Sequence, residues 1–371
     1  MIKKIAFIGG RDSNSLGGIE NYVLNLSQSL QKMGYSIVIY CESSSHKSEI
    51  QNNIKTIHWK STHCNLIDKP LLGLISTLHA LFIEKDVDLF HYNAWPPSLW
   101  SWIPLLFRKK TLMQGHGLEW QRTKYRPYQQ KIMKLMESIT SKTNKNIIMV
   151  SQDQSNYFLE HYKKECATIP PGVPSPASFD QKTIDSVLDK YQLKPHKYII
   201  FLGRLVKDKN PDILIKSFLG TTHNDIQLVI VGDGPNNKGF VTCLKELADK
   251  DPSIRFTGTV YGDEKLVLLK ESLLYCLPST LEGLPISLLE AMSYGCNCIC
   301  SDIPGSREAM GNNGVFVPLD NLEQGLCAEL QKVIDSSANE YQYNEENISR
   351  VNSSFSWDFI AKQYVGYITK L

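Results

Sequence analysis

Short apolar runs alternate with segments of helical period along this chain, and the alternation runs through twice. In the first half, residues 5–8 form an apolar run that ends at Gly9-Gly10. Ile19, Val23, Leu26, Leu30 and Met33 then step by four, three, four and three, which is one face of a helix stopped by Gly34. Residues 36–40, 88–92, 110–114 and 146–150 follow as strands. In the second half, 198–202, 227–231, 273–277 and 297–300 read as strands, with helices at 210–219, 239–250, 263–271 and 285–294. Strands joined by helices of this length need crossover connections, which are right-handed and build parallel sheets. The expected fold is α/β, two doubly wound Rossmann-like lobes with the active-site cleft between them. Ligands of such sheets sit outside the carboxyl ends of the strands, so the loops after strands are where chemistry belongs.

A length of 371 residues accommodates two domains. The joint falls where Pro170, Pro171, Gly172, Pro174 and Pro176 break any regular element, which gives lobes at 1–175 and 176–355 and a final segment at 356–371. The net charge of +2 hides a split: the first 175 residues hold 21 Lys and Arg against 13 Asp and Glu, and the remainder holds 19 against 25. That balance disfavours a polybasic nucleic-acid binder. Nine cysteines without paired C-x-x-C spacing argue against a disulfide scaffold or a zinc ribbon. Cys296, Cys298 and Cys300 alternate along a strand and read as small apolar residues on a buried face. The apolar run at 5–8 is too short for a secretory signal. The stretch 71–83 is too short for a membrane span, and 89–107 is interrupted by Pro96, Pro97 and Pro104. A cytoplasmic chain is expected.

Three loops follow strands and carry suitable groups. Residues 9–18, from Gly9-Gly10 through Gly17-Gly18, precede the first helix; they form either a plain turn or a ligand loop, and they lack the dinucleotide fingerprint. The second loop starts at Gly203-Arg204 and runs to Lys209, ahead of a helix starting near Pro211. Arginine forks onto phosphate oxygens and lysine supplies a point charge, so this loop suits a diphosphate, against the plainer reading of a solvated turn. The third runs from Ser279 through Glu282, Gly283, Leu284 and Pro285 to Glu290, with Pro285 expected as the first helical residue. The Gly283 and Leu284 amides there can meet phosphate. Glu290, among Leu288, Leu289, Ala291 and Met292, is partly withdrawn from water and suits sugar hydroxyls; otherwise both glutamates are ordinary helix-start and surface carboxylates.

Taken together and in order, these loops resemble the retaining glycosyltransferases of family 4, which have the GT-B fold. The resemblance rests on residues 16–20, on Gly203-Arg204 with Lys209, on Gly232-Asp233-Gly234-Pro235, and on Glu282 and Glu290 with seven residues between them. It covers nearly the whole chain, including a last helix of the kind that crosses back to the first lobe. It implies that Arg204 and Lys209 hold the donor diphosphate, that Glu290 accepts hydrogen bonds from the ribose, and that Glu282 lies near the transferred sugar. It also implies that the amides after Glu282 help hold phosphate, that Gly18 leaves room for it, and that His116 stands beside the donor sugar. The donor is then a nucleotide sugar, dTDP- or UDP-linked, and neither cofactor nor metal is needed. Residues 116–125 further resemble bacterial rhamnosyltransferases of surface-polysaccharide synthesis, which points to a dTDP-rhamnose donor and a glycan or lipid-linked acceptor. Where relatives carry asparagine and aspartate, this chain has Pro171 and Pro174. A non-catalytic sugar-nucleotide-binding relative and a GT-B epimerase or phosphorylase are the competing readings. The basic first lobe, with Arg108, Lys109, Lys110, Arg122, Lys124, Arg126, Lys131 and Lys134 near the tryptophans of 95–102, is expected to dock on the anionic inner face of the cell membrane.

Overall fold

The computed structural model describes residues 2–10, 18–62, 67–121, 126–234, 237–312, 314–336 and 341–371. It divides into two compact units, Met1–Gly172 with Trp357–Leu371, and Val173–Ser356. Both are Rossmann-like α/β units.

The first unit holds β1 (Lys4–Gly10), β2 (Ser36–Ser43), β3 (Lys47–Gln51), β4 (Ile54–Lys60), β5 (Leu89–Asn93), β6 (Lys110–Gly115), β7 (Ile147–Met149) and β8 (Ala167–Thr168). Their order is β3-β4-β2-β1-β5-β6-β7-β8, so the sheet changes direction of growth between β1 and β5. All neighbours are parallel except β3, which runs antiparallel to β4 and departs from the all-parallel expectation. The cause is local. Asn52 and Asn53 both take positive φ, 49° and 60°, the requirement of a tight two-residue hairpin turn. The helix Gly18–Lys32 buries Val23, Leu26 and Leu30 as their spacing implies, each burial worth roughly 1.5–3 kcal/mol. Met33 falls past the helix end and is 39% exposed, so it does not share that face. Gly34, at φ 91°, closes the helix. The last helix, Trp357–Ile368, buries Trp357, Ile360, Ala361, Tyr364 and Ile368 in the core built on β1, β5 and the first helix.

The second unit holds β9 (Tyr198–Leu202), β10 (Gln227–Val231), β11 (Ile254–Gly258), β12 (Leu274–Leu277), β13 (Cys298–Ser301) and β14 (Val315–Val317), in the order β11-β10-β9-β12-β13-β14. All neighbours are parallel. β9 and β12 are buried along their whole length and flank the point where strand order reverses. The thiols of Cys296, Cys298 and Cys300 are buried, and burial pushes that of Cys296 up to about 12. They fill the core as small buried groups, with the Cys296 thiol also donating to the Leu269 carbonyl at 3.0 Å.

Candidate active site

The strand reversal in the second unit brings two of the charged loops together. β9 ends at Leu202, and the chain turns through Gly203 to a one-turn 3₁₀ helix, Lys207–Lys209. β12 ends at Leu277, and the chain runs to the helix Ile286–Ser293. Asn210, left-handed at φ 47°, reaches across so that its Nδ2 donates to the Pro278 carbonyl at 2.8 Å. The Thr280 amide donates back to the Asp208 carbonyl at 2.9 Å. Between these ties, Lys209 Nζ donates to Glu282 Oε1 at 2.7 Å, and Ser279 Oγ donates to the same oxygen at 2.8 Å. The two side chains are 16% and 14% exposed, so the pair is largely screened from water. Gly203 makes this possible: a Cβ there would stand 3.0 Å from Lys209 Cδ. Gly232, at φ 140°, sits so close to Gly203 that a Cβ would stand 1.9 Å from its carbonyl oxygen.

Arg204, in the loop between Gly203 and Lys209, is exposed and has no side-chain partner among the described residues. Its guanidinium is therefore available to an anion. Pro285 is the N-cap of the helix Ile286–Ser293, not its first residue; its ψ of 104° is extended, so the helix starts one residue later than expected. The amides of Gly283 and Leu284 donate to no backbone carbonyl among the described residues, which leaves them for a ligand. Glu290 lies on the helix itself, 18% exposed, and accepts from Lys265 Nζ at 2.7 Å. These two line a pocket of about 130 Å³ with Pro174, Gly262, Ser293 and Tyr294.

In the first unit, His116 follows β6 and is half-buried. Its Nε2 lies 3.1 Å from Asn93 Oδ1 at the end of β5, and its ring meets Tyr22 edge-on at 5.0 Å. Tyr22 is itself fixed, its hydroxyl donating to Gln114 Oε1 at 2.8 Å. Ala94, next along from Asn93, adopts φ 76° and ψ 165°, a region that strains any residue with a Cβ. Behind lies His91, which burial holds well below the ordinary histidine range, with His116 adding to the effect. Its Nδ1 pairs with the Tyr364 hydroxyl at 2.7 Å. Gly18 is the exposed first residue of its helix, while Gly17, Arg122, Lys124 and Pro235 lie outside the described residues.

Five contributors here escaped the sequence reading: Ser279, Asn210, Lys265, Asn93 and Tyr22. No motif marks Lys265, because its partner stands 25 residues away and meets it only through the fold. The sequence does mark Asn210, an asparagine before Pro211 at a helix start. No group of three or more His, Cys, Asp or Glu among the described residues is placed to hold a metal ion.

The family profile described as Glycosyltransferase Family 4 matches residues 16–175, and that described as Glycosyl transferases group 1 matches residues 185–350. The chain is 25% identical to a UDP-Gal:alpha-D-GlcNAc-diphosphoundecaprenol alpha-1,3-galactosyltransferase of Escherichia coli, over 90% of this chain and 89% of that one. It is 23% identical to the phosphatidyl-myo-inositol mannosyltransferase of Mycolicibacterium smegmatis, covering 94% and 88%. The structure of Anabaena HepE in complex with UDP-glucose superposes with a TM-score of 0.79 at 15% identity, covering 99% of this chain and all of that one. The last likeness shows the fold.

Proposed function

Since the chain belongs to the GT-B glycosyltransferases, with a family 4 first half and a group 1 second half, we propose that it transfers a sugar, with retention, from a nucleotide diphosphate to a lipid-linked or oligosaccharide acceptor of bacterial surface-polysaccharide synthesis. The observation that carries this reading is the Lys209–Glu282 pair at the strand reversal of the second unit, in the loop that also holds the exposed Arg204. Arg204 and Lys209 take the diphosphate and stabilise the charge that grows on it as the glycosidic bond breaks. The leaving diphosphate accepts the proton of the incoming hydroxyl, so no separate base is needed. By the family resemblance, Glu282 and His116 attend the sugar, Gly203 and Gly18 leave room for phosphate, the Gly283 and Leu284 amides meet it, and Glu290 takes the ribose hydroxyls. The E. coli relative acts, by its name, on a diphosphoundecaprenol-linked acceptor, which supports the lipid-linked class.

The donor is a UDP- or dTDP-sugar, rhamnose being the candidate sugar on the dTDP side. A melting-temperature screen across UDP-, dTDP- and GDP-sugars should single out one nucleotide, because only a ligand of the folded state raises the melting point. Incubation with that donor and a lipid-linked acceptor should then give a product whose anomeric configuration, read by NMR, equals the donor's. An inverted product overturns retention; binding without transfer or hydrolysis favours a non-catalytic relative. Turnover should persist in EDTA, because Arg204 and Lys209 supply the positive charge a divalent ion otherwise brings. Loss on chelation, restored by manganese or magnesium, counts against the assignment.

A peripheral site of work at an anionic membrane belongs to the same proposal. No helix among the described residues is long and apolar enough to cross a membrane. Trp95 is buried, stacked 5.1 Å from Phe158, and Trp100 Nε1 donates to the Pro70 carbonyl, so these tryptophans belong to packing instead of an interface. Trp102 is 44% exposed, and exposed apolar groups nearby in sequence include Phe82, Ile83, Leu106 and Phe107, 52%, 67%, 71% and 48% exposed, with Phe82 and Phe107 in edge contact at 5.5 Å. Lys85 and Arg108 stand exposed beside them. Apolar tips rimmed by cations suit an anionic bilayer. Arg108→Glu with Lys85→Glu should raise the lipid concentration for half-binding by at least tenfold in co-sedimentation with anionic vesicles, at about 1 kcal/mol per cation. Binding indifferent to lipid charge and salt, or no binding, leaves a soluble acceptor as the better idea.

A further inference from the structure

Glu137 lies on the helix Pro127–Thr143 and is fully buried, yet the chemistry above does not use it. Its carboxylate accepts three hydrogen bonds, all from neutral aromatic donors. Trp120 Nε1 donates to Oε2 at 3.1 Å, and the Tyr157 and Tyr162 hydroxyls donate to Oε1 at 3.2 and 2.9 Å. No lysine or arginine among the described residues forms an ion pair with it; Lys134 instead lies over the Trp120 ring, 4.6 Å from its centroid. Burial raises the pKa of this carboxyl while the three donors pull it down. Leucine here would avoid the desolvation but leave three donors without an acceptor.

Two of the donors stand on the helix Gln152–Tyr162. The third stands in the segment between β6 and the helix of Glu137, the segment that opens with His116-Gly117. Among the described residues its backbone is tied by little more than the Gln121 amide on the Leu118 carbonyl at 3.0 Å. Side chains do the rest. Near β6, Trp95 Nε1 donates to the Gly117 carbonyl at 3.3 Å, and Asn93 meets His116. Farther along, Trp120 is tied to Glu137, with the Tyr157 ring 6.1 Å away and Lys134 over its face.

We propose that Glu137 is a positioning residue for the transfer: by gripping Trp120 together with Tyr157 and Tyr162, its carboxylate holds the His116 segment in its working conformation. The proposal rests on the role given to His116 above. It is tested on the full chain with Glu137→Ala and Trp120→Phe, each alone and combined with His116→Ala, using the sugar nucleotide singled out by melting temperature. Hydrogen exchange of the Gln121 amide, which donates to the Leu118 carbonyl, should quicken at least tenfold in both variants, while that of the helix Gly18–Lys32 stays unchanged. Glu137→Ala should lower kcat about 10- to 100-fold, the scale of a misplaced catalytic group, with the Kd of the free nucleotide diphosphate within twofold. Glu137→Gln, which keeps an acceptor, should recover most of that loss. On the His116→Ala background, Glu137→Ala should cost little more. Losses that multiply, or exchange that does not change, overturn the proposal. Full activity of His116→Ala instead overturns the role of His116, and the exchange data then still report whether Glu137 holds the segment. Should Glu137→Ala fail to fold, Trp120→Phe, which keeps the ring and drops the N–H, carries the same comparisons.

Discussion

Arg204→Ala and Lys209→Ala should each lower turnover by on the order of 10²–10³, the scale for losing one group that stabilises charge developing in a transition state. The two differ in what else they disturb, and the structure says how. Arg204 is exposed with no side-chain partner among the described residues, so its removal leaves the fold as it was. Lys209 is paired with Glu282 in a site that is only about one-seventh exposed, and its loss leaves that carboxylate with the Ser279 hydroxyl as its side-chain donor among the described residues. An underserved, largely buried acceptor costs about 1–3 kcal/mol, so Lys209→Ala should also lower the melting temperature while Arg204→Ala should not. Arg204→Ala is therefore the cleaner measure of catalysis. Steady-state kinetics on a folded Arg204→Ala protein that stay near the original rate would remove the diphosphate role. Lys209→Arg is the useful companion: it restores the charge but not the compact point donor that fits beside Gly203, and a partial recovery is expected.

The sequence carried most of the second unit because its strands are continuous buried runs. Residues 198–202 and 227–231 coincide with β9 and β10, whose side chains admit no solvent-facing alternation to mislead the reading. β4, β8, β11 and β14 also escape the sequence reading, and β3 escaped for the opposite reason. Its residues are Lys-Ser-Glu-Ile-Gln on an exposed edge, with no apolar period, and only the Asn52-Asn53 turn announces it. The site divides in the same way. Arg204, Lys209 and Glu282 are legible as candidates because they sit in loops between a strand end and a helix start, where local chemistry has a recognisable form, and Glu290 because it lies on the helix that follows, with seven residues between it and Glu282. Their partners are not. Lys209 meets Glu282 across 73 residues because β9 and β12 are neighbours at the sheet's reversal, a matter of strand order. Charge shows the same limit. The basic excess of the first half is visible in the sequence, but which of its tryptophans are core is decided by packing: Trp95 is sealed against Phe158 while Trp102 is 44% exposed.

Glu290→Gln should weaken binding of the free nucleotide diphosphate by about 1.5–3 kcal/mol, the size of a hydrogen bond to a charged group, or roughly 10- to 150-fold in Kd. In the structure one oxygen of Glu290, Oε1, is occupied by Lys265, and that pair lines the pocket beside Tyr294. The ion pair fixes the carboxylate, and Oε2 remains to receive ribose hydroxyls. A ribonucleotide offers two such hydroxyls and a deoxyribonucleotide one, so the loss should be larger for UDP than for dTDP. Lys265→Met, which loosens the carboxylate without removing it, should weaken binding less than Glu290→Gln does. Glu282→Gln should behave differently. Glutamine keeps a carbonyl oxygen for Lys209 and Ser279, so the diphosphate cradle stays set and the free nucleotide should bind within about threefold of its original affinity. What disappears is the negative charge next to the sugar, so transfer should fall by on the order of 10² or more. Calorimetry on the free nucleotide separates the two glutamates. If both substitutions weaken binding equally, Glu282 serves the diphosphate through Lys209 instead of the sugar, and the two carboxylates act as one donor-binding unit.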